Sequence, residues 1–155
     1  MMGLLFSPFR VFEANRSPAA LYARSKWLGE ADTPVWRHDF NETVSGLLKG
    51  QEEAGSWNQS ALTTIRRLFG LHLTVRDATR PIMRGLDWLM DRIYPRSRLM
   101  TQNLREEITS EALRGLPFST GRSDLLARGA TLFLRSIFGR ENAGDVLAAY
   151  DWLVD

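Results

Sequence analysis

A shift of 64 residues lays LFGLHLTVRDATRPIMRGLDWLMD (68–91) on LFLRSIFGRENAGDVLAAYDWLVD (132–155) without a gap. Leu68, Phe69, Arg76, Asp87, Trp88, Leu89 and Asp91 recur as Leu132, Phe133, Arg140, Asp151, Trp152, Leu153 and Asp155. No other feature constrains the chain as much, because a unit used twice must bury its apolar face against a copy of itself. Upstream, ETVSGLLKG (42–50) resembles EITSEALRG (107–115) at an offset of 65. The apolar phase there, Phe40 with Leu104 and Val44 with Ile108, prefers 64.

The repeated unit has a helical period. Ile82, Met83, Leu86, Leu89, Met90 and Ile93 share one helical face, opposite Arg80, Arg84, Asp87 and Asp91. That polar face is expected to be solvated, with Arg84 and Asp87 spaced as an opposite-charge pair. Ala61, Leu62, Ile65, Leu68, Phe69 and His72 form a second face behind a Ser60 cap. Trp36, Phe40, Val44, Leu47 and Leu48 form a third after Thr33-Pro34. Ser17-Pro18 starts a shorter helix that Gly29 closes. No segment alternates with period two over strand length. The expectation is an all-α protein of about seven helices, at 19–28, 34–49, 60–74, 78–93, 102–114, 124–138 and 142–154. Residues 1–16 carry Phe6, Phe9, Val11 and Phe12 without a period and are expected to form an arm. The division is 1–33, arm and short helix; 34–98, first repeat; 99–155, second repeat.

Composition removes several classes of chemistry. With no cysteine, a zinc-thiolate centre, a disulfide framework and a cysteine nucleophile are excluded. The same absence fits a reducing compartment, so a cytoplasmic location is expected. No apolar run is long enough to span a membrane. Eighteen of the 20 basic residues are arginine, and eight of them fall between Arg66 and Arg98 against Asp77, Asp87 and Asp91. Interleaved acids and a net charge of +2 argue against nucleic acid as a partner.

The turn KGQEEAGSWNQS places Gln51, Gly55 and Trp57 in the spacing Q-x-x-x-G-x-W between two helices. This resembles the QW motif of the terpenoid cyclase and prenyltransferase superfamily, as found in squalene and oxidosqualene cyclase repeats. The flanking SALTTIRRLFGLHLT and RGLDWLM resemble that family's paired helices. Physically such a motif is a fastener: Gln51 donates and accepts at once, Gly55 permits positive φ, and Trp57 covers the junction with its indole N–H bonded. The corresponding turn of the second repeat, RGLPFSTGRSD, has neither Gln nor Trp. The resemblance implies an α/α toroid-like arrangement, as a half barrel or open arc. It transfers no catalytic residue, because the D-x-D-D acid motif is absent and no Cys exists for the prenyltransferase zinc site. No metal or other cofactor is expected.

The remaining candidates are few. His38 and Asp39 are adjacent on a helix, diverge by about 100°, and are expected at the surface. His72 falls on an apolar face and reads as a satisfied core histidine. STGRSD (119–124) lacks the phosphate-loop pattern, but the helix start at Ser123 and Asp124, together with Arg66 and Arg67, forms a candidate anion-binding set. The expected function is a non-catalytic helical-repeat domain that binds an apolar ligand or a partner. A homodimer or protein partner would cover the exposed repeat ends. The alternatives are an armadillo-like interaction scaffold, or a fragment of a class II cyclase-like enzyme.

Overall fold

The computed structural model describes residues 9–94 and 123–154, without the side chains of 123–125, 145 and 151–154. Seven helices occur among them: α1 (Arg10–Glu13), α2 (Pro18–Trp27), α3 (Pro34–Leu48), α4 (Ala61–Thr74), α5 (Arg80–Ile93), α6 (Ser123–Ile137) and α7 (Gly144–Val154). The protein is all-α, and the described residues contain no strand, only isolated antiparallel bridges from Trp57 to Gln51 and to Ser60. One element departs from expectation: the arm contains one helical turn, α1. The expected helix at 102–114 lies outside the described residues.

Local chemistry sets the helix starts. Ser17 Oγ accepts from Ala20 N at 3.3 Å, Thr33 Oγ1 from Trp36 N at 3.3 Å, and Ser60 Oγ from Thr63 N at 3.1 Å. Each hydroxyl satisfies an amide that has no intrahelical acceptor. Proline follows directly in α2 and α3 and occupies the first turn of α5, where a missing N–H costs nothing.

The core is organised around α4, which packs against α2, α3, α5 and α6. Thr64, Gly70 and Leu71 are buried beside the expected Ala61, Leu62, Ile65 and Leu68, so its apolar arc is wider than one face. Helix α5 buries Ile82, Leu86, Leu89 and Ile93 in the same cluster, joined from α6 by Ala127 and Leu134. Helix α6 in turn lies against α4, α5 and α7. The 84/87 charge pair does not form. Asp87 instead accepts from Arg135 on α6 at 2.7 Å, and Arg84 turns toward Gln51. Tertiary packing brought a better partner to each group than its own helix offered.

Helices α2 and α3 are joined by charge. Arg24 is 2% exposed and donates through Nη1 to Asp39 Oδ2 at 2.8 Å and through Nε to Glu30 Oε2 at 2.7 Å. Asp39 Oδ1 also lies 3.0 Å from Arg16 Nε. Burial pulls the Arg24 guanidinium down, but bonds to Asp39 and Glu30 and their charges outweigh it, leaving it above its ordinary value. The hydrogen bond from Arg24 holds Asp39 below the ordinary 3.8. Asp39 is the one fully buried residue among those of α3, which corrects the expectation that it would sit at the surface.

A carboxylate with a lowered folded-state pKa stabilises the fold above its unfolded value, and loses that contribution as pH falls through the folded one. Asp39→Asn is therefore expected to be less stable than wild type at pH 7, with the gap closing below the ordinary carboxylate value of 3.8. Urea unfolding at several pH values measures this. A gap that stays constant down to acid pH would show that the pair's charge contributes nothing.

Candidate functional site

Gln51, Gly55 and Trp57 are brought together by the turn between α3 and α4. Gln51 N bonds Leu48 O at 3.2 Å, Gly55 N bonds Glu52 O at 2.9 Å, and Glu52 N bonds Ser56 O at 2.8 Å. Asn58 and Gln59 follow with φ of 56° and 54°, and Ser60 N closes on Trp57 O at 3.1 Å. Two successive left-handed residues under such a bond make a type I′ turn. The loop thus reverses tightly and presents Gln51 to α5.

The Gln51 amide then crosses to that helix. Its Nε2 donates to Gly55 O at 2.9 Å and to Pro81 O at 2.8 Å, while Oε1 accepts from Arg84 Nη2 at 3.5 Å. Gly55 has φ +107°, and a Cβ there would lie 2.3 Å from Arg84 O. Both the backbone conformation and the close approach require glycine. Trp57 is 2% exposed within the α4–α5 core and its backbone N–H donates to Thr64 Oγ1 at 3.2 Å. The expected indole hydrogen bond is not made: Nε1 is buried without a partner among the described residues. The ring works by filling volume.

Of the candidate anion set, only the two arginine side chains fall among the described residues. Arg67 donates to Gly46 O, a carbonyl in the last turn of α3 that has no acceptor role left inside the helix. Its task is to cap α3. Arg66 is exposed on α4. Ser123 and Asp124 stand in the first turn of α6, and their side chains lie outside the described residues.

The histidines separate as well. His38 is exposed and faces Glu42 Oε1 at 3.6 Å. His72 is half-buried and packs edge-on against Phe133 and Phe138 at 6.5 and 5.8 Å. Its Nδ1 is buried without a hydrogen-bond partner among the described residues, so it packs as a ring without the bond expected of a satisfied core histidine. Desolvation first, and then the Arg76 charge, lower its pKa from 6.5. No group of three or more metal-ligating His, Asp or Glu occurs among the described residues, and no helix among them is long and apolar enough to cross a membrane.

A second feature was not anticipated. Helices α2 and α3 and the end of α4 line a partly open cavity of about 130 Å³. Leu21, Tyr22, Trp36, Phe40 and Leu73 form apolar walls, while Ser25, Lys26, Thr74 and Arg76 bring polar atoms. Trp36 stacks on Phe40 at 4.9 Å between centroids and donates its indole N–H to Leu21 O at 3.0 Å. Arg76 has φ 66°, its N–H closes α4 on Leu71 O at 3.2 Å, and its guanidinium lies 4.7 Å from the Tyr22 ring centre. Trp36 and Phe40 were legible as an apolar stripe. That they face a space rather than a packed neighbour was not.

Gln51→Leu is expected to lose about 1–3 kcal/mol, because two carbonyl partners are left unpaired. Gly55→Ala should lose at least about 2 kcal/mol through strain at positive φ and the clash with Arg84 O. Chemical denaturation measures both, and a neutral result for either would remove the clasp. A base with a lowered folded-state pKa withdraws stability as pH falls below its unfolded value. His72→Phe should therefore flatten the loss of stability that begins below pH 6.5, read from melting temperature between neutral and mildly acid pH. Comparison of the chain with protein-family models, curated proteins and solved structures finds no match.

Proposed function

We propose that this chain is a non-catalytic helical domain, of the α/α-toroid type that the Q-x-x-x-G-x-W spacing suggests, and that it works by holding a compact apolar ligand. The observation that carries this reading is the aromatic-walled cavity between α2, α3 and α4. Its walls are preset: the indole of Trp36 is pinned to Leu21 O, and α2 is locked to α3 by the buried Arg24–Asp39 pair. A pocket formed before the ligand arrives avoids the ordering cost of binding.

The volume also sets the ligand's size. A closed apolar cavity of about 150 Å³ accepts benzene; this cavity is partly open with a mixed lining, and its about 130 Å³ suits a group of similar size, one ring or one short branched chain. A long polyprenyl chain exceeds this space. The proposal therefore narrows the apolar ligand expected from the family resemblance to a small one.

The motif residues support the non-catalytic part. Gln51 is engaged by Gly55, Pro81 and Arg84, and Gly55 is packed on the α5 backbone. Asp39 and Asp87 are both held in ion pairs with arginine. None of these groups is presented to the cavity lining.

Titration with toluene and with 3-methyl-2-butenol, followed by tryptophan fluorescence, is expected to saturate. Leu73→Trp, which fills the space, should abolish the response while farnesol gives none in either protein. Absence of saturation with both small probes would overturn the reading.

A further inference from the structure

The cavity has a charged mouth that the apolar reading does not use. Lys26, near the end of α2, and Arg76, in the turn after α4, both reach its lining, and no carboxylate does. Neither cation belongs to a salt bridge among the described residues. On α2, α3 and the turn between them, Glu30 and Asp39 are paired with Arg24 and Glu42 with Arg16; Asp77, which follows Arg76, is exposed and not part of the lining. Two cations thus reach one small space whose lining, among the described residues, holds no carboxylate.

The backbone directs one of them there. Arg76 sits in the left-handed region at φ 66°, a conformation that costs a non-glycine residue of order 1 kcal/mol or more. Gly139 takes up a left-handed φ of 74° in the turn that ends α6, so a glycine would serve after α4 as well. The arginine is placed over Tyr22 at 4.7 Å instead. Contact with an aromatic face leaves most of its N–H donors unused, since a guanidinium carries five. Its positive field is felt at His72, whose pKa it helps to lower.

We infer that the cavity between α2, α3 and the end of α4 binds a compact apolar anion, its body among Tyr22, Trp36 and Phe40 and its carboxylate or phosphate between Lys26 and Arg76. The inference rests on the apolar-ligand reading above and adds charge selection to it. Carboxylate and phosphate share the required chemistry, a planar or tetrahedral set of acceptor oxygens facing an arginine fork and an ammonium group.

The test is isothermal titration of the full chain with phenylacetate, phenyl phosphate and the neutral benzyl alcohol. Both anions are expected to bind at least about tenfold more tightly than the alcohol, and to weaken as ionic strength rises. Arg76→Asn keeps a residue that tolerates the left-handed backbone, and Lys26→Gln alters an exposed position. Each should weaken the anions by about tenfold and leave the alcohol unchanged, whereas Lys49→Gln should change neither. The tighter of the two anions identifies the head group. Equal affinity for anion and alcohol, or anion binding unaltered by both variants, would overturn the charge selection alone. No saturable binding of any of the three would overturn the ligand-binding reading together with it.

Discussion

The buried pair of Arg24 and Asp39 decides how the first half of the molecule is put together. Two charges removed from water are tolerated only if they meet each other with good geometry, and Arg24 meets Asp39 at 2.8 Å and Glu30 at 2.7 Å. That requirement sets the azimuth of α2 against α3. Once it is set, Tyr22 and Lys26 on one helix and Trp36 and Phe40 on the other are turned toward a shared space. An apolar contact in the same place would let the helices slide, because hydrophobic burial has no directional preference.

A different device holds α3, α4 and α5. The turn between α3 and α4 brings the Gly55 backbone so near α5 that a methyl group would collide with Arg84 O. Gln51 then spans the gap with two hydrogen bonds from one amide nitrogen. Trp57 and the α4–α5 interface bury the surface that makes this arrangement favourable. The clasp orients and the core stabilises. With α4 held at the centre in this way, its C-terminal turn delivers Arg76 to the cavity that the ion pair has opened.

Much of this was legible in the residues. The helix starts at Ser17, Thr33 and Ser60 follow from short-range capping, which needs only neighbours in the chain. The faces of α4 and α5 follow from periodicity, and the Gln51–Gly55–Trp57 spacing located the fastening turn. What escaped were the polar partners. Arg84 and Asp87 are neighbours on one helix, yet they separate to Gln51 and Arg135. Arg24 lies on the same helical face as the buried Ala20 and Leu21, a signal that it needed an internal partner, but nothing local pointed to Asp39. Arg66 and Arg67 looked equivalent, and only the position of the α3 terminus gave Arg67 a carbonyl to cap.

By itself, then, the sequence determined an all-α chain, the places where its helices begin and the turn that fastens two of them, because capping, period and backbone permissiveness act within a few residues. The tertiary structure alone decided which charges would be buried together and where space would remain. Ion-pair choice and cavity shape depend on the relative rotation of α2, α3 and α4, and that rotation is set by contacts 15 residues apart in the chain, as between Arg24 and Asp39, and more.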